Sequence, residues 1–446
     1  MTDVAVVVFD TLRADTFAEY FDWLPGRRFT NAYSTSHWTV PAHASLLTGK
    51  YPSEIGVHVR SRSLDCDTLL PERLQDNGYT TRLWTRNMQI YEWDGWERGF
   101  SERRGPEKYA FRRPPENVPD WYAFHTETTL TGWRKALAAA RFCFSPRYDF
   151  LPSMYEGIRL SNAVPIGSVP SGATLLADRL RATTFDSSEF LLVNLMEMHS
   201  RYDPPATHAT GDPVEKVEFE DGVADTLSDG ETASLRRAYD DCAAYLSDAY
   251  REIFAVLSES FDYVITCSDH GELLGEYGHW THTYGLQPEL ARVPLVISGG
   301  TLENDTVDMP VSWLDLHRTI VELMDVAMKS RGQSLLDPSA LTPRDRLIEY
   351  HGLAAGRREK FERVGLDTDL FDRFHTQLDG VVTADGDYAY ETYDGDLVSG
   401  EELSSDVARS KLDALVEQID REPLDESAEN VSDSVKQRLN DLGYAG

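Results

Sequence analysis

The chain has 446 residues, 41% of them hydrophobic, with 43 Lys and Arg against 75 Asp and Glu and a formal net charge of −32 at pH 7. Its length and apolar content mark a globular protein with room for one large α/β domain and a smaller one. The charge excludes electrostatic capture of nucleic acid or of an anionic membrane surface, so an anionic substrate needs local positive charge, which a metal would supply.

The basic residues are mostly Arg, with Lys confined to positions such as Lys50, Lys135 and Lys411, and the acids run along the whole chain. Such a surface suits a salt-rich cytoplasm, and a halophilic source of haloarchaeal type is expected. Cys66, Cys143, Cys242 and Cys267 have wide, irregular spacings that match neither a zinc site nor a disulfide framework, and they read as reduced core cysteines. No basic segment followed by an apolar run precedes Val4, and no stretch approaches ~20 apolar residues, so a soluble cytoplasmic protein without a transmembrane segment is expected.

In chain order, Val4 to Phe9 is a continuous β-branched run, as in a buried strand of a parallel sheet, and it delivers Asp10 at its carboxyl end, where ligands gather. Asp10 is a candidate metal ligand or a cap for the next helix. Next comes Ser36 to His58. Pro41 suits the first turn of a helix over Ala42 to Leu47, which puts Thr39 just before it, beside free backbone N–H groups. Thr39 is therefore either an N-cap or a nucleophile toward a phosphate or sulfate ester held at the helix N-terminus.

Thr68 to Leu74 predicts a helix, Asn77-Gly78 a turn, and Tyr79 to Trp84 a strand. From about 101 to 173 the periodicity weakens, with one helix expected around Gly132 to Arg141, and the segment reads as an insertion that forms a lid or a substrate wall. Phe190 to Met196 is the next buried strand, followed by His199, which by itself reads as a loop histidine. Leu235, Tyr239, Cys242, Leu246, Ala249, Ile253 and Leu257 recur at three- and four-residue steps and predict an amphipathic helix over Glu231 to Ser260.

Tyr263 to Cys267 is another buried strand, carrying Asp269 and His270 at its tip. The glycines Gly271, Gly275 and Gly278 let the chain fold back and bring His279 and His282 toward the same crevice, which predicts a metal site in a chain with 12 His. Val293 to Ser298 predicts a strand and Val311 to Asp325 a helix. Beyond about Arg344, Val381 to Thr383, Asp387 to Tyr390 and Thr392-Tyr393, separated by Asp-Gly turns, predict a small antiparallel hairpin system, with a terminal helix around Val431 to Leu442.

Taken together, the chain resembles the sulfatase family of the alkaline phosphatase superfamily over nearly its whole length. The matches are Asp10-Thr11-Leu12-Arg13-Ala14-Asp15, Pro41 with Leu46-Leu47-Thr48-Gly49-Lys50-Tyr51-Pro52, and Ser268-Asp269-His270-Gly271-Glu272-Leu273-Leu274-Gly275. Arg292-Val293-Pro294-Leu295, Asp315-Leu316-His317 and Arg438 to Tyr444 continue them. The resemblance implies an alkaline phosphatase-like fold: a large, mostly parallel sheet flanked by helices in a catalytic domain over 1–343, and a small C-terminal antiparallel sheet in a subdomain over 344–446.

It also implies a metal held by Asp10, Asp269 and His270 with the oxygen of Thr39, and substrate contacts from His43, His199 and His282. Such an ion would lower the pKa of a bound hydroxyl, and His43 and His282 would neutralise the transferring group or protonate the leaving alcohol. The chain departs from the family pattern at four positions. Thr39 stands where Cys or Ser is oxidised to formylglycine, and threonine cannot become an aldehyde. His43 replaces an Arg, His282 replaces a Lys, and Thr11 replaces a second acidic ligand. No Asp-x-x-x-His element for a second metal is found. These departures resemble phosphoesterases of the superfamily in which an unmodified Thr attacks phosphorus, such as nucleotide pyrophosphatases and phosphoglycerol or phosphoethanolamine transferases.

The expected activity is metal-dependent hydrolysis of phosphate esters, diesters included, or of sulfate esters, with Thr39 as nucleophile and one divalent ion (Mn, Mg, Ca or Zn). The substrate is an anionic ester of a small molecule, glycan or lipid head group. Two other readings remain: transfer of the phospho group to an alcohol acceptor, and a degenerate sulfatase-like protein that binds without turnover.

Overall fold

The computed structural model of the chain describes residues 1–59, 61–105, 172–200, 202–212, 227–353 and 368–422, with isolated positions between 138 and 153 and between 357 and 362. In chain order the strands are β1 (Val4–Phe9), β2 (Arg27–Tyr33), β3 (Thr80–Thr85), β4 (Glu102–Arg104), β5 (Glu189–Leu195) and β6 (Tyr263–Cys267). Then follow β7 (Leu273–Leu274), β8 (Trp280–Thr281), β9 (Arg292–Gly299), β10 (Thr306–Val307), β11 (Val311–Ser312), β12 (Arg346–His351), β13 (Gln377–Val382), β14 (Tyr388–Glu391) and β15 (Leu397–Ser399).

All six residues of β1 are fully buried, as a strand covered on both faces must be. Its side chains alternate between two cores. Val4, Val6 and Val8 join Val40, Ala44 and Leu47 of the helix Thr39–Thr48 and Leu316 and Ile320 of the helix Trp313–Leu323. Ala5, Val7 and Phe9 face Tyr239, Leu246, Tyr250 and Ile253 of the helix Asp229–Ser260. Each fully buried aliphatic or aromatic side chain contributes about 1.5–3 kcal/mol, against ~0–1 kcal/mol for an exposed ion pair, so this double core fixes the strand tips.

Among the described residues, nine strands form the main sheet in the order β10-β2-β9-β6-β1-β5-β3-β4, with β11 also paired to β2. β6, β1, β5, β3 and β4 run parallel to one another, while β9 runs antiparallel to both β6 and β2. The carboxyl ends of β1, β3, β5 and β6 therefore lie on one edge. That edge is where an α/β sheet offers a crevice.

A second sheet, β12-β13-β14-β15, is antiparallel throughout. Its turns use Asp385-Gly386 and Asp394-Gly395, whose glycines adopt φ of 97° and 81°, a region that side chains resist. Thr392-Tyr393, expected as strand, falls in the second of these turns. The long helix starts at Asp229, two residues before the predicted Glu231, because Ser228 caps it: the Ser228 amide reaches Glu231 Oε2 at 2.8 Å and the Glu231 amide reaches Ser228 Oγ at 3.3 Å. Cys242 and Cys267 are buried, Cys66 is half-buried against the edge of the core, and all three are free thiols.

The insertion expected over 101–173, with its helix around 132–141, lies largely outside the described residues, as do Cys143 and the terminal helix over 431–442. No helix among the described residues is long and apolar enough to cross a membrane.

Candidate metal and nucleophile site

Asp10 follows β1, and Asp269 and His270 follow β6, its direct parallel neighbour, so pairing Val8 with Cys267 sets the two acids side by side. All three are fully buried. One ligand atom from each lies within 4.8 Å of the others, the single such group of His, Cys, Asp or Glu among the described residues. His270 Nδ1 donates to the Gly271 carbonyl at 2.9 Å, which leaves the lone pair on Nε2, facing the acids.

Thr39 completes the cluster from the helix Thr39–Thr48, which packs on the face of the sheet that carries Val4, Val6 and Val8. The helix begins at Thr39 itself, with Trp38 in the N-cap position, rather than just after Thr39 as predicted. Pro41 still sits in the first turn, where the missing N–H costs no helical bond. The Thr39 hydroxyl turns away from its own backbone: Oγ1 donates to Asp10 Oδ2 at 3.4 Å and lies 3.2 Å from His270 Nε2.

The electrostatics of this cluster are unfavourable without a cation. Two carboxylates 4.8 Å apart or closer repel by about 3–4 kcal/mol even at an effective dielectric of 20. Burial and the charge of Asp10 push the Asp269 carboxyl well up. Asp10, although burial opposes it, is held below its usual range by His199, His270, His282 and the Asn87 amide. Asp10 Oδ1 and Asp269 Oδ2 are buried without a hydrogen-bond partner among the described groups. Two orphaned carboxylate oxygens beside an imidazole lone pair fit a divalent cation of the oxygen- and nitrogen-preferring kind.

The remaining predicted residues surround this centre. His43 Nδ1 donates to the Thr39 carbonyl at 2.9 Å and lies 3.7 Å from Asp269 Oδ2, and its Nε2 is buried without a partner. Burial lowers its pKa to about 4, so it is neutral here. The His282 ring centre lies 4.5 Å from that of His270, the planes tilted, and 5.3 Å from that of His199, edge-on. Burial holds His282 and His270 down to about 3 and lifts Glu272 to about 8. The short pair between His282 Nδ1 and Glu272 Oε2, 2.7 Å, thus holds one proton.

His279 does not join the crevice. It precedes β8 in extended backbone and packs 5.5 Å from Tyr284 and 5.7 Å from Phe374. Thr11 occupies a left-handed conformation, φ 63°, rare for a β-branched residue; its amide points to Asp269 Oδ1 at 3.4 Å and its carbonyl accepts from Tyr239. The Thr11 hydroxyl is buried without a hydrogen-bond partner.

Sequence reasoning missed two amides. Asn87 Nδ2 donates to Asp10 Oδ2 at 2.7 Å and lies 3.3 Å from Thr39 Oγ1, and Asn194 Nδ2 reaches Asp10 Oδ2 at 3.3 Å. Asn194 interrupts the apolar run Phe190 to Met196, a signal that was readable. Asn87 had a weaker one, a polar residue just past a strand tip.

The sulfatase family profile matches residues 18–326. The choline-sulfatase of Rhizobium meliloti is 23% identical over 326 residues, 68% of this chain and 61% of that protein, so the chain spans about three fifths of its length. Among solved structures, the phosphonate monoester hydrolase of Silicibacter pomeroyi superposes with a TM-score of 0.64 at 18% identity, covering 94% of each chain. That of Agrobacterium radiobacter gives 0.62 at 15% identity, covering 100% of this chain and 96% of the other.

Proposed function

This chain belongs to the sulfatase family, and on that footing we propose that it is a metal-dependent hydrolase of phosphate esters that uses Thr39 Oγ1 as its nucleophile. The observation that carries the reading is the Thr39 hydroxyl set 3.4 Å from Asp10 Oδ2 and 3.2 Å from His270 Nε2 at a helix N-terminus. A divalent ion held by Asp10, Asp269 and His270 would supply Lewis acidity and lower the pKa of that hydroxyl.

The chain's own residues do the rest. The free N–H groups of the first helical turn are the donors offered to the developing oxyanion charge, and the Asn87 amide holds Asp10 Oδ2 and Thr39 Oγ1 in place. His43, neutral and with an unengaged Nε2, lines the same wall. His199 and His282 lie on the far side of His270, where a leaving oxygen would depart. Phosphorus is favoured over sulfur because an unmodified Thr cannot form the aldehyde on which the sulfatases it resembles depend. The name choline-sulfatase and the phosphonate monoester hydrolases suit the same class of small anionic esters. The proposal places catalysis in a domain over 1–343, with 344–446 as a C-terminal subdomain, in the cytoplasm of a halophile.

The test is hydrolysis of p-nitrophenyl phosphate, a phosphodiester and p-nitrophenyl sulfate at high salt, with Mn, Mg, Ca or Zn returned after chelation. Metal-dependent phosphoester cleavage that disappears in Thr39→Ala is expected. Cleavage unchanged in that variant, or turnover of the sulfate alone, would overturn the reading.

A further inference from the structure

A chain of three buried side chains, Tyr239, Tyr202 and Glu272, leads to one imidazole beside the site. Glu272 is fully buried, and both its oxygens are engaged: Oε1 accepts from the Tyr202 hydroxyl at 2.8 Å and Oε2 meets His282 Nδ1 at 2.7 Å. With both ends held, the carboxyl cannot turn. Tyr202 packs edge-on against Tyr239 at 5.2 Å, and the Tyr239 hydroxyl donates to the Thr11 carbonyl, so the group is tied to the turn that follows Asp10. The backbone of His282 is fixed as well. Its carbonyl accepts from His37 Nδ1 at 2.8 Å, and Thr281 before it is held at φ 64°, a strained value for a β-branched residue.

With Nδ1 engaged, the reactive nitrogen of His282 is Nε2, on the opposite edge of the ring. We propose that Glu272, anchored by Tyr202, is the positioning residue that presents His282 Nε2 to the leaving oxygen, which suits the site to esters of unactivated alkyl alcohols. The inference rests on the reading of Thr39 as nucleophile. A phenolate departs as a stable anion and gains little from a proton donor, whereas an alkoxide needs the proton.

In the first step Thr39 Oγ1, its proton already lost to solvent, forms a bond to phosphorus. The bond from phosphorus to the leaving oxygen breaks, and that oxygen's electron pair takes the proton from Nε2 of the neutral His282 ring while the proton on Glu272 Oε2 passes to Nδ1. In the second step water attacks the Thr39 ester, Nε2 takes the water proton, the Nδ1 proton returns to Glu272, and the Thr39 oxygen departs. The imidazole and the nucleophile return to their starting states.

The test compares kcat and KM on n-butyl phosphate and p-nitrophenyl phosphate for the Mn-loaded full chain and for Glu272→Gln, Tyr202→Phe and Thr39→Ala. In Glu272→Gln the fall in kcat on the butyl ester is expected to exceed that on the aryl ester by about tenfold or more, with KM little changed, since general acids contribute about 10²–10⁴-fold. Tyr202→Phe shifts the same ratio less. An equal loss on both esters in Glu272→Gln, with Thr39→Ala inactive on both, overturns the positioning role and leaves the nucleophile standing; activity in Thr39→Ala overturns the nucleophile instead. Nitrogen-15 NMR of the His282 ring gives a reading independent of turnover. A proton on Nε2 with Nδ1 accepting, a balance shifted in Glu272→Gln, supports the proposal, and a wild-type ring with its proton on Nδ1 and a bare Nε2 overturns it.

Discussion

Asn87 Nδ2 stands 2.7 Å from Asp10 Oδ2 and 3.3 Å from Thr39 Oγ1, so a single amide touches both a metal-ligand candidate and the nucleophile candidate. By donating to Oδ2 it leaves Oδ1 without a hydrogen-bond partner, 3.9 Å from His270 Nε2. Residues that orient ligands in this way are worth about 10–100-fold in metal affinity or activity. Asn87→Ala is expected to weaken Mn binding by about tenfold or more, read by calorimetry on the chelated protein. Unchanged affinity would assign Asn87 to packing alone.

Asp269 bears on stability with opposite signs in the two metal states. Without an ion, burial and Asp10 keep its carboxyl raised, so the neutral isostere in Asp269→Asn is expected to match or exceed the wild-type melting temperature in chelator. With Mn the wild type gains RT ln(1 + [L]/Kd), about 2.7 kcal/mol at a hundredfold excess over Kd, and the variant gains little. Scanning calorimetry in chelator and in Mn checks both halves. A variant that keeps the full increment shows that Asp269 is not a ligand.

Which of these features could be read from the chain alone depended on whether the signal was local. Val4 to Phe9 and Tyr263 to Cys267 are continuous apolar runs, so both strands and the acids at their tips were legible, and the repeat from Leu235 to Leu257 gave the long helix. β12 was not legible. Its buried residues include Arg346, Glu349 and His351, the ion-pair partners Asp315 and Arg421 of the first two lie far along the chain, and no alternation survives in the sequence. The same holds for Asn87 and Glu272, whose partners Asp10 and Tyr202 are fixed by sheet order and not by spacing. His279 misled because three glycines suggested a fold-back without saying which face each histidine would take.

Glu349 illustrates that distant satisfaction and yields a third prediction. Fully buried on β12, it accepts from the Ser53 amide at 3.1 Å and pairs with Arg421 at 3.1 Å, which also binds Asp379 at 2.7 Å. Removing one partner of a buried ion pair costs about 3–5 kcal/mol because the other charge is left stranded. Arg421→Met is expected to lower stability by that order in urea denaturation, while Arg421→Met with Glu349→Gln recovers part of the loss. A single variant as stable as wild type would mean that Glu349 is neutral in the folded protein.

His317 makes one contribution of known sign to the acid response. It lies in the helix Trp313–Leu323, where Nδ1 meets Ser330 Oγ at 2.9 Å and Nε2 is buried without a partner. Burial, with Arg318 beside it, lowers its pKa to about 3. Between that value and the ordinary 6.5 the unfolded chain binds a proton that the folded chain does not, so ∂ΔG/∂pH is positive and stability falls as pH falls. The contribution is present above 6.5 and drains away below it, by at most about 1.4 kcal/mol for each pH unit from this one group. Urea denaturation of wild type and His317→Asn at pH 7.5, 6 and 5 should therefore show the variant losing less stability on acidification, whatever its starting value. A difference between the two that does not change with pH would mean that His317 titrates normally in the folded protein.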